Sequence, residues 1–311
     1  MHLMALTLLY LFAGLILLFV GGESLVRGSA ALAVRLRVPA FVVGLTIVGF
    51  GTSMPELLVS LSAALKGAPD IAMGNVVGSN IANILLILGV SALLLPLKQE
   101  FSKSARDIGV MVFAGLLLVG LSAIGIIERW AGLLMVGSLA TYVIYILFFA
   151  KQGTEAQVEL PISSNGLLKE IAFVAIGLVS LVIGAEWLVD ASTTIARSFE
   201  IPEAVIGLTI VAVGTSLPEL ATSVMAALKR ESDIAVGNIL GSNIFNILGI
   251  LGVTAIITPI AISPTMATFD IPVMIAVFFS LALLIFFLGR ISRIAGISAL
   301  TLYAGYVAYL Y

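Results

Sequence analysis

The chain contains itself twice. Shifted by 163 positions, VVGLTIVGFGTSMPELLVS (42–60) lies on VIGLTIVAVGTSLPELATS (205–223) without a gap, and DIAMGNVVGSNIANILLILGV (70–90) lies on DIAVGNILGSNIFNILGILGV (233–253). Roughly two thirds of positions 39–90 are identical to their partners, and the same offset carries Glu23 onto Glu186, Pro96 onto Pro259 and Asp107 onto Asp270. A duplication on this scale demands two structurally equivalent halves. Its strongest matches are polar and helix-breaking residues inside apolar runs, whereas the plainly apolar runs that follow match poorly.

Those runs settle the solvent. With 61% hydrophobic and 10% charged residues among 311, the chain is too apolar for a water-soluble domain of this length. A bilayer core of about 30 Å takes about 20 apolar residues per helix. Ten stretches qualify, near 4–26, 39–65, 70–95, 105–125, 130–150, 167–189, 202–228, 233–257, 270–289 and 293–311. The first lacks the basic flank of a signal peptide and its end recurs within the chain, so it reads as a permanent span. The polar segment KQGTEAQVELPISSNG (151–166) divides the chain into a first half, 1–150, and a second, 167–311. Five spans per half is an odd number, so the second half enters the membrane from the opposite side. The expected fold class is therefore an all-α integral membrane protein of ten transmembrane helices, arranged as two inverted-topology five-helix repeats with helices 2 and 7 broken.

Charge sidedness orients it. Twelve of the fifteen Lys and Arg residues fall in one set of alternate loops, and only Lys66, Arg129 and Arg197 in the other. The positive-inside rule puts the linker 151–166 in the cytoplasm and both termini outside, in a multi-pass protein of the plasma membrane.

Function is sought where polarity costs most. Glu56 and Glu219 lie deep in apolar spans, where an ionised side chain costs from about 3 kcal/mol upward. Beside them Pro55 and Pro218 lack the N–H that would bond the carbonyls of Gly51 and Gly214, so backbone oxygens are freed next to each carboxylate. Two carboxylates with the oxygens of Thr52, Ser53, Thr215 and Ser216 form an all-oxygen set suited to a hard cation, and two charges balance one divalent ion. The chain has no Cys, and its one His is His2, which leaves soft transition metals poorly served and removes thiol, disulfide, zinc-protease and Ser/His chemistry. Asn75, Ser79 and Asn83, and likewise Asn238, Ser242 and Asn246, recur at i, i+4, i+8 and form stripes that could face the site. Gly74, Gly78, Gly237 and Gly241 have the spacing of close helix packing. Asp70 and Asp233 are expected as helix caps or solvated mouth residues, and Glu23 as a partner of Arg27 one turn on.

At these residues the chain resembles the calcium/cation antiporter superfamily and, within it, the sodium/calcium exchanger family in its compact prokaryotic form. The resemblance spans the whole chain and rests on the paired motifs GTSMPE and GNVVGSNIAN (within 42–90), then GTSLPE and GNILGSNIFN (within 205–253). It implies Na+/Ca2+ antiport by sliding of helices 1 and 6 across the bundle, with no cofactor and no obligate protein partner. It further implies that Glu56 and Glu219 bind Ca2+ with backbone oxygens of Thr52 and Thr215. Ser53, Ser79, Asn83, Ser216, Ser242 and Asn246, with backbone oxygens of Gly49 and Ala212, would line the central and flanking Na+ sites. Potassium-dependent relatives have Asp where this chain has Asn246, which argues against K+ transport, and protons are the second choice of driving ion.

Other classes fare worse. An intramembrane aspartyl protease needs two embedded aspartates, but the embedded acids here are glutamates and no GxGD motif occurs. No enzyme activity and no nucleic-acid partner is expected. A cation channel could also use carboxylates, but an inverted repeat with broken helices at the midplane favours alternating access.

Overall fold

The computed structural model describes residues 2–36, 38–149, 166–199 and 212–310. The linker expected at 151–166 lies outside the described residues except for Gly166, as do residues 205–211 of the second repeated motif.

The described chain is almost entirely helical: α1 (His2–Leu36), a bent pair α2 (Ala40–Thr52) and α3 (Met54–Leu65), α4 (Pro69–Leu94), α5 (Phe101–Ser122), α6 (Arg129–Phe149), α7 (Leu167–Ser198), a single turn Ala212–Gly214, α8 (Leu217–Leu228), α9 (Ser232–Ile257), α10 (Met266–Leu288) and α11 (Arg293–Leu310). Among the described residues seven helices are long and apolar enough to span a membrane, and eight if the bent pair is one span. This count is smaller than the ten read from the sequence. The residues leading into α8 lie partly outside the description, and α11 falls short of the apolar criterion.

Two spans are longer than expected. α1 runs ten residues beyond 26 and α7 nine beyond 189, because no proline interrupts either before Pro39 and Pro202. The extension of α1 is held by α7: the Arg27 guanidinium sits 5.6 Å from the Phe173 ring centroid, and Arg35 Nε donates to the buried Glu170 Oε2 at 2.6 Å.

Along the bilayer, α1 and α7 pack antiparallel on a seam of glycines spaced by seven. A Cβ on Gly14 would meet Gly184 O at 2.8 Å, one on Gly21 would meet Gly177 O at 3.0 Å, and one on Gly28 would meet Val174 N at 2.9 Å. In lipid, where apolar surface gives no drive to associate, this backbone approach supplies the van der Waals contact that joins helices. The seam joins residues equivalent by the 163 offset, Gly14 with Gly177 and Gly21 with Gly184, in crossed register.

α4 and α9 occupy the centre; every residue from Ile234 to Gly252 is buried. Gly237 lies on the backbone of Phe41 and Leu45, and Gly44 on that of Ile234, as the small-residue spacing led one to expect. Their counterparts Gly74 and Gly78 make no such approach to the described residues.

Outer helices are fastened by a second repeated feature. Tyr142 on α6 donates its hydroxyl to Asp107 of α5 at 2.7 Å, and Tyr306 on α11 donates to Asp270 of α10 at 2.8 Å. Asp107 also accepts from Arg106 at 2.8 and 3.1 Å. Short strand pairs tie the loops: β1 (Leu97–Lys98) with β4 (Arg290–Ile291), and β2 (Ile126–Ile127) with β3 (Ile260–Ala261), both antiparallel.

The seam generates a paired test. Gly177→Ala would put a Cβ 2.6 Å from Leu25 N and is expected to destabilise by about 1–3 kcal/mol. Gly137→Ala, with nothing within 4 Å, should be neutral or stabilising by up to about 1 kcal/mol. Thermal unfolding of the two variants in detergent checks this; equal midpoints would remove the seam's role.

Candidate cation site

The site is built where two helices are interrupted. α2 and α3 meet at 42°, and the break falls on Ser53 (φ −86, ψ 7), one residue before the position a proline usually distorts, since Met54 is already helical. Ser216 repeats it (φ −91, ψ 8) at the start of α8. Each interrupted helix has Ser, a residue, Pro and Glu in sequence, with Glu56 and Glu219 in the first turn of α3 and α8. The positive ends of two helix dipoles thus point at the carboxylates.

Ser-x-x-Glu ordinarily closes a capping box within one helix. Here neither serine caps its own helix; each reaches into the other half. Ser53 Oγ donates to Glu219 Oε1 at 2.8 Å, and Ser216 Oγ donates to Glu56 Oε1 at 3.2 Å. The crossed bonds hold the two interrupted turns face to face with both carboxylates about 1% exposed. Among the described residues no Lys, Arg or His pairs with either Glu, and none partners Oε2 of either. Two adjacent buried carboxylates with unpartnered oxygens are a strongly unfavourable arrangement as charged groups unless a cation or a proton offsets the charge. Among the described residues no cluster of three or more His, Cys, Asp or Glu forms, so the remaining ligands would be neutral oxygens.

Such oxygens converge here. Ser79 Oγ lies 3.4 Å from Ser216 Oγ. Ser242 Oγ donates to Gly49 O at 3.1 Å, and Thr52 Oγ1 is within 3.4 Å of the same carbonyl and 3.2 Å from Asn238 Oδ1. Asn83 gives its amide N–H to Asn243 Oδ1 at 3.0 Å, which leaves Asn83 Oδ1 buried and unpartnered; Asn246 Oδ1 is likewise unpartnered. Both residues sit where the central helices loosen into π turns, Asn83–Ile87 and Phe245–Leu251. Thr215 is half-buried in the turn before Ser216, and Ala212 opens the single turn preceding it.

Three expectations need correction. Asn75 and Asn238 do not face the site as ligands. Asn75 Nδ2 donates to Glu56 O at 3.2 Å and Ser60 Oγ at 2.8 Å, and Asn238 Nδ2 to Glu219 O at 3.4 Å and Ser223 Oγ at 2.9 Å. They brace the Glu-bearing turns. Asp70 and Asp233 are not caps but first-turn residues of α4 and α9, favoured there by the dipole; Asp70 is exposed and Asp233 half-buried, which keeps the other expectation, a solvated mouth residue, for Asp70. Glu23 pairs with Lys229 Nζ at 3.0 Å, not with Arg27. Asn243, which orients Asn83, lies one position off the i, i+4, i+8 stripe, and only the duplicated GSN triplet could have marked it.

The unpartnered carboxylate oxygens predict a thermal signature. Ca2+ at a hundredfold its dissociation constant should stabilise the folded chain by about 2.7 kcal/mol. In a Glu56→Gln/Glu219→Gln double variant the ion-free midpoint should rise, since a buried like-charge pair is gone, and the Ca2+ response should vanish. A preserved Ca2+ response would place the cation elsewhere.

Comparison with known proteins fits this geometry. The family described as sodium/calcium exchanger protein matches residues 6–151 and 169–311. The chain is 37% identical over 310 residues to the putative antiporter CaxA of Alkalimonas amylolytica, covering 97% of each protein. It is 34% identical to the sodium/calcium exchanger MaX1 of Methanosarcina acetivorans, covering 97% of this chain and 98% of the relative. The solved structure of the sodium–calcium exchanger NCX_Mj soaked with Na+ and Ca2+ superposes with a TM-score of 0.84 at 33% identity, over 98% of this chain and 99% of that one. With matches of this extent to both sequence and fold, the chain belongs to the sodium/calcium exchanger family, as a multi-pass membrane protein of the prokaryotic type.

Proposed function

We propose that the chain is a secondary antiporter that exchanges Na+ for Ca2+ by alternating access at the site between the interrupted helices. The observation that carries the reading is the pair of buried carboxylates, Glu56 and Glu219, with Oε2 atoms unpartnered and no cationic side chain beside them among the described residues. Ca2+ supplies two charges and takes six to eight oxygens; Na+ would replace it among the same oxygens. In this reading Glu56, Glu219 and the backbone of Thr52 and Thr215 hold Ca2+. Ser53, Ser79, Asn83, Ser216, Ser242 and Asn246, with the carbonyls of Gly49 and Ala212, complete the sites for Na+. The printed name of MaX1 and the ion soaks of NCX_Mj support the choice of ions.

We further propose ten spans in two inverted five-helix repeats, 1–150 and 167–311, joined by a cytoplasmic linker at 151–166. Strand pairing supports it by parity. β2 and β3 lie at one membrane face, so an even number of crossings must separate Ile127 from Ile260. α6, α7 and α9 make three, and the stretch ending in α8 supplies the fourth. The antiparallel seam of α1 with its own repeat α7 is what inversion requires. Single cysteines can be read cleanly in a chain that has none: Ser163→Cys should resist an impermeant maleimide applied to intact cells and react after permeabilisation. Labelling from outside would reverse the orientation.

The functional test is Ca2+ uptake into proteoliposomes under an outward Na+ gradient. Uptake should exceed that under a proton gradient, persist with K+ replaced by choline on both sides, and fall to background in Glu56→Gln or Glu219→Gln. A single carboxylate facing a divalent ion in a poorly solvated site forfeits several kcal/mol, about 3–5. Persistence without K+ follows from charge, because Asn83 and Asn246 are neutral and Ca2+ already balances the two glutamates. Uptake driven only by protons, or only with K+, would favour those antiporter types, and non-saturable flux independent of counter-ion would mean a channel.

A further inference from the structure

The 163 offset that relates the two halves carries Lys66 onto Lys229 and Glu23 onto Glu186. Lys66 and Lys229 end α3 and α8 with the same backbone, φ −84 ψ 5 and φ −83 ψ 1. Each is followed by a left-handed residue, Gly67 at φ 74 and Arg230 at φ 63. The turn bonds match as well: Gly67 N to Ala64 O and Ala68 N to Ala63 O in one half, Arg230 N to Ala227 O and Glu231 N to Ala226 O in the other. The second half keeps this conformation although Arg, unlike Gly, is disfavoured there. The two lysines are therefore presented alike.

Their partners differ. Lys229 Nζ donates to Glu23 Oε1 at 3.0 Å, while among the described residues Lys66 and the exposed Glu186 form no ion pair. With the lysine ends equivalent, the difference lies in where Glu23 and Glu186 stand, and so in the position of α1 and α7 against the rest. Those two helices move as one body, since their backbones touch along the glycine seam and Arg35 is bonded to Glu170. A rigid body displaced from the two-fold position toward one lysine is displaced away from the other. The same asymmetry appears at the centre: Asn83 is bonded to Asn243, but its counterpart Asn246 is not bonded to Asn80, whose amide goes to Val76 O at 2.7 Å.

We infer that Glu23–Lys229 and Glu186–Lys66 are alternating ionic latches, one at each membrane face, that hold the α1–α7 body at the two ends of its travel. The first is closed in this conformation and the second closes in the opposite-facing one. The inference rests on the alternating-access reading but not on which ions are carried. A half-exposed ion pair biases an equilibrium by about two- to fivefold, and only because it exists in one of the two states. Exchanging one latch for its chemical equal leaves the end states close in energy, which a reversible carrier needs.

The test uses the full chain in proteoliposomes, with cysteine pairs in a background free of cysteine and a short bis-methanethiosulfonate cross-linker, whose sulfinate groups leave as the two disulfides form. Glu23→Cys/Lys229→Cys and Lys66→Cys/Glu186→Cys should each cross-link, and each link should arrest movement until reduced. Adding Lys229→Gln to the Lys66→Cys/Glu186→Cys pair should raise its cross-link yield about two- to fivefold, and Lys229→Arg should leave it at the parent level. A 66/186 link that never forms, or a yield indifferent to Lys229→Gln, overturns the latches. Sodium-driven Ca2+ uptake by the cysteine-free parent is scored separately. Reciprocal cross-linking without that uptake would keep the latches and discard the ion assignment, and uptake without reciprocity would do the reverse.

Discussion

Everything around the centre of this protein answers to two buried carboxylates that no cationic side chain among the described residues pairs. Glu56 and Glu219 are withdrawn from water and from lipid, and each takes a serine hydroxyl from the opposite half and faces the positive end of a short helix. A neutral hydrogen bond contributes about 1 kcal/mol, far below the cost of burying a charge. Hydrogen bonds from the described residues therefore offset only part of that cost. The interrupted helices follow from it: a continuous helix would present a side chain but no backbone oxygen, while a break at Ser53 and Ser216 presents both.

Such a site needs a rigid frame. Asn75 and Asn238 each bond a Glu carbonyl and a serine one turn on, so the Glu-bearing turns are fixed from behind by α4 and α9. α9 in turn lies directly on the backbone of α2 through Gly237 and Gly44. The outer helices are secured by Tyr142 on Asp107 and Tyr306 on Asp270. α1 and α7 differ in that their backbones meet each other along the glycine seam, and both carry exposed apolar side chains.

The sequence made legible what is local or repeated. The doubled motif, the proline-broken spans and the buried glutamates could be read from the sequence, and the family from the resemblance of its paired motifs. What could not be read depends on contacts between distant positions. Ser53 and Glu219 lie 166 residues apart, and no local pattern distinguishes a serine that caps its own helix from one that reaches across. The asparagine stripe misled for a geometric reason. At 3.6 residues per turn, positions four apart drift by about 40°, so over eight residues Asn75 turns to the neighbouring α3 while Asn83 stays at the centre. The pairing of Glu23 with Arg27 failed because a lysine 206 residues away competes for the same carboxylate. The length of α1 was underestimated because Arg27 and Arg35 look like the end of a span until Phe173 and Glu170 are seen beside them.

The choice of serine at the crossed positions also suits the proposed exchange. A lysine or arginine there would neutralise a carboxylate permanently, and an arriving ion would have to displace a bonded charge from a site of low effective dielectric. A hydroxyl lowers the cost of the empty site without cancelling its charge, and it can turn its oxygen to a cation once one arrives, since it both donates and accepts. Because each hydroxyl belongs to the opposite half from the carboxylate it serves, turning it to an ion loosens the bond between the halves. In the proposed exchange, Ser53–Glu219 and Ser216–Glu56 would link the occupancy of the site to the relation of the two repeats, a coupling that a capping box closed within each helix could not provide.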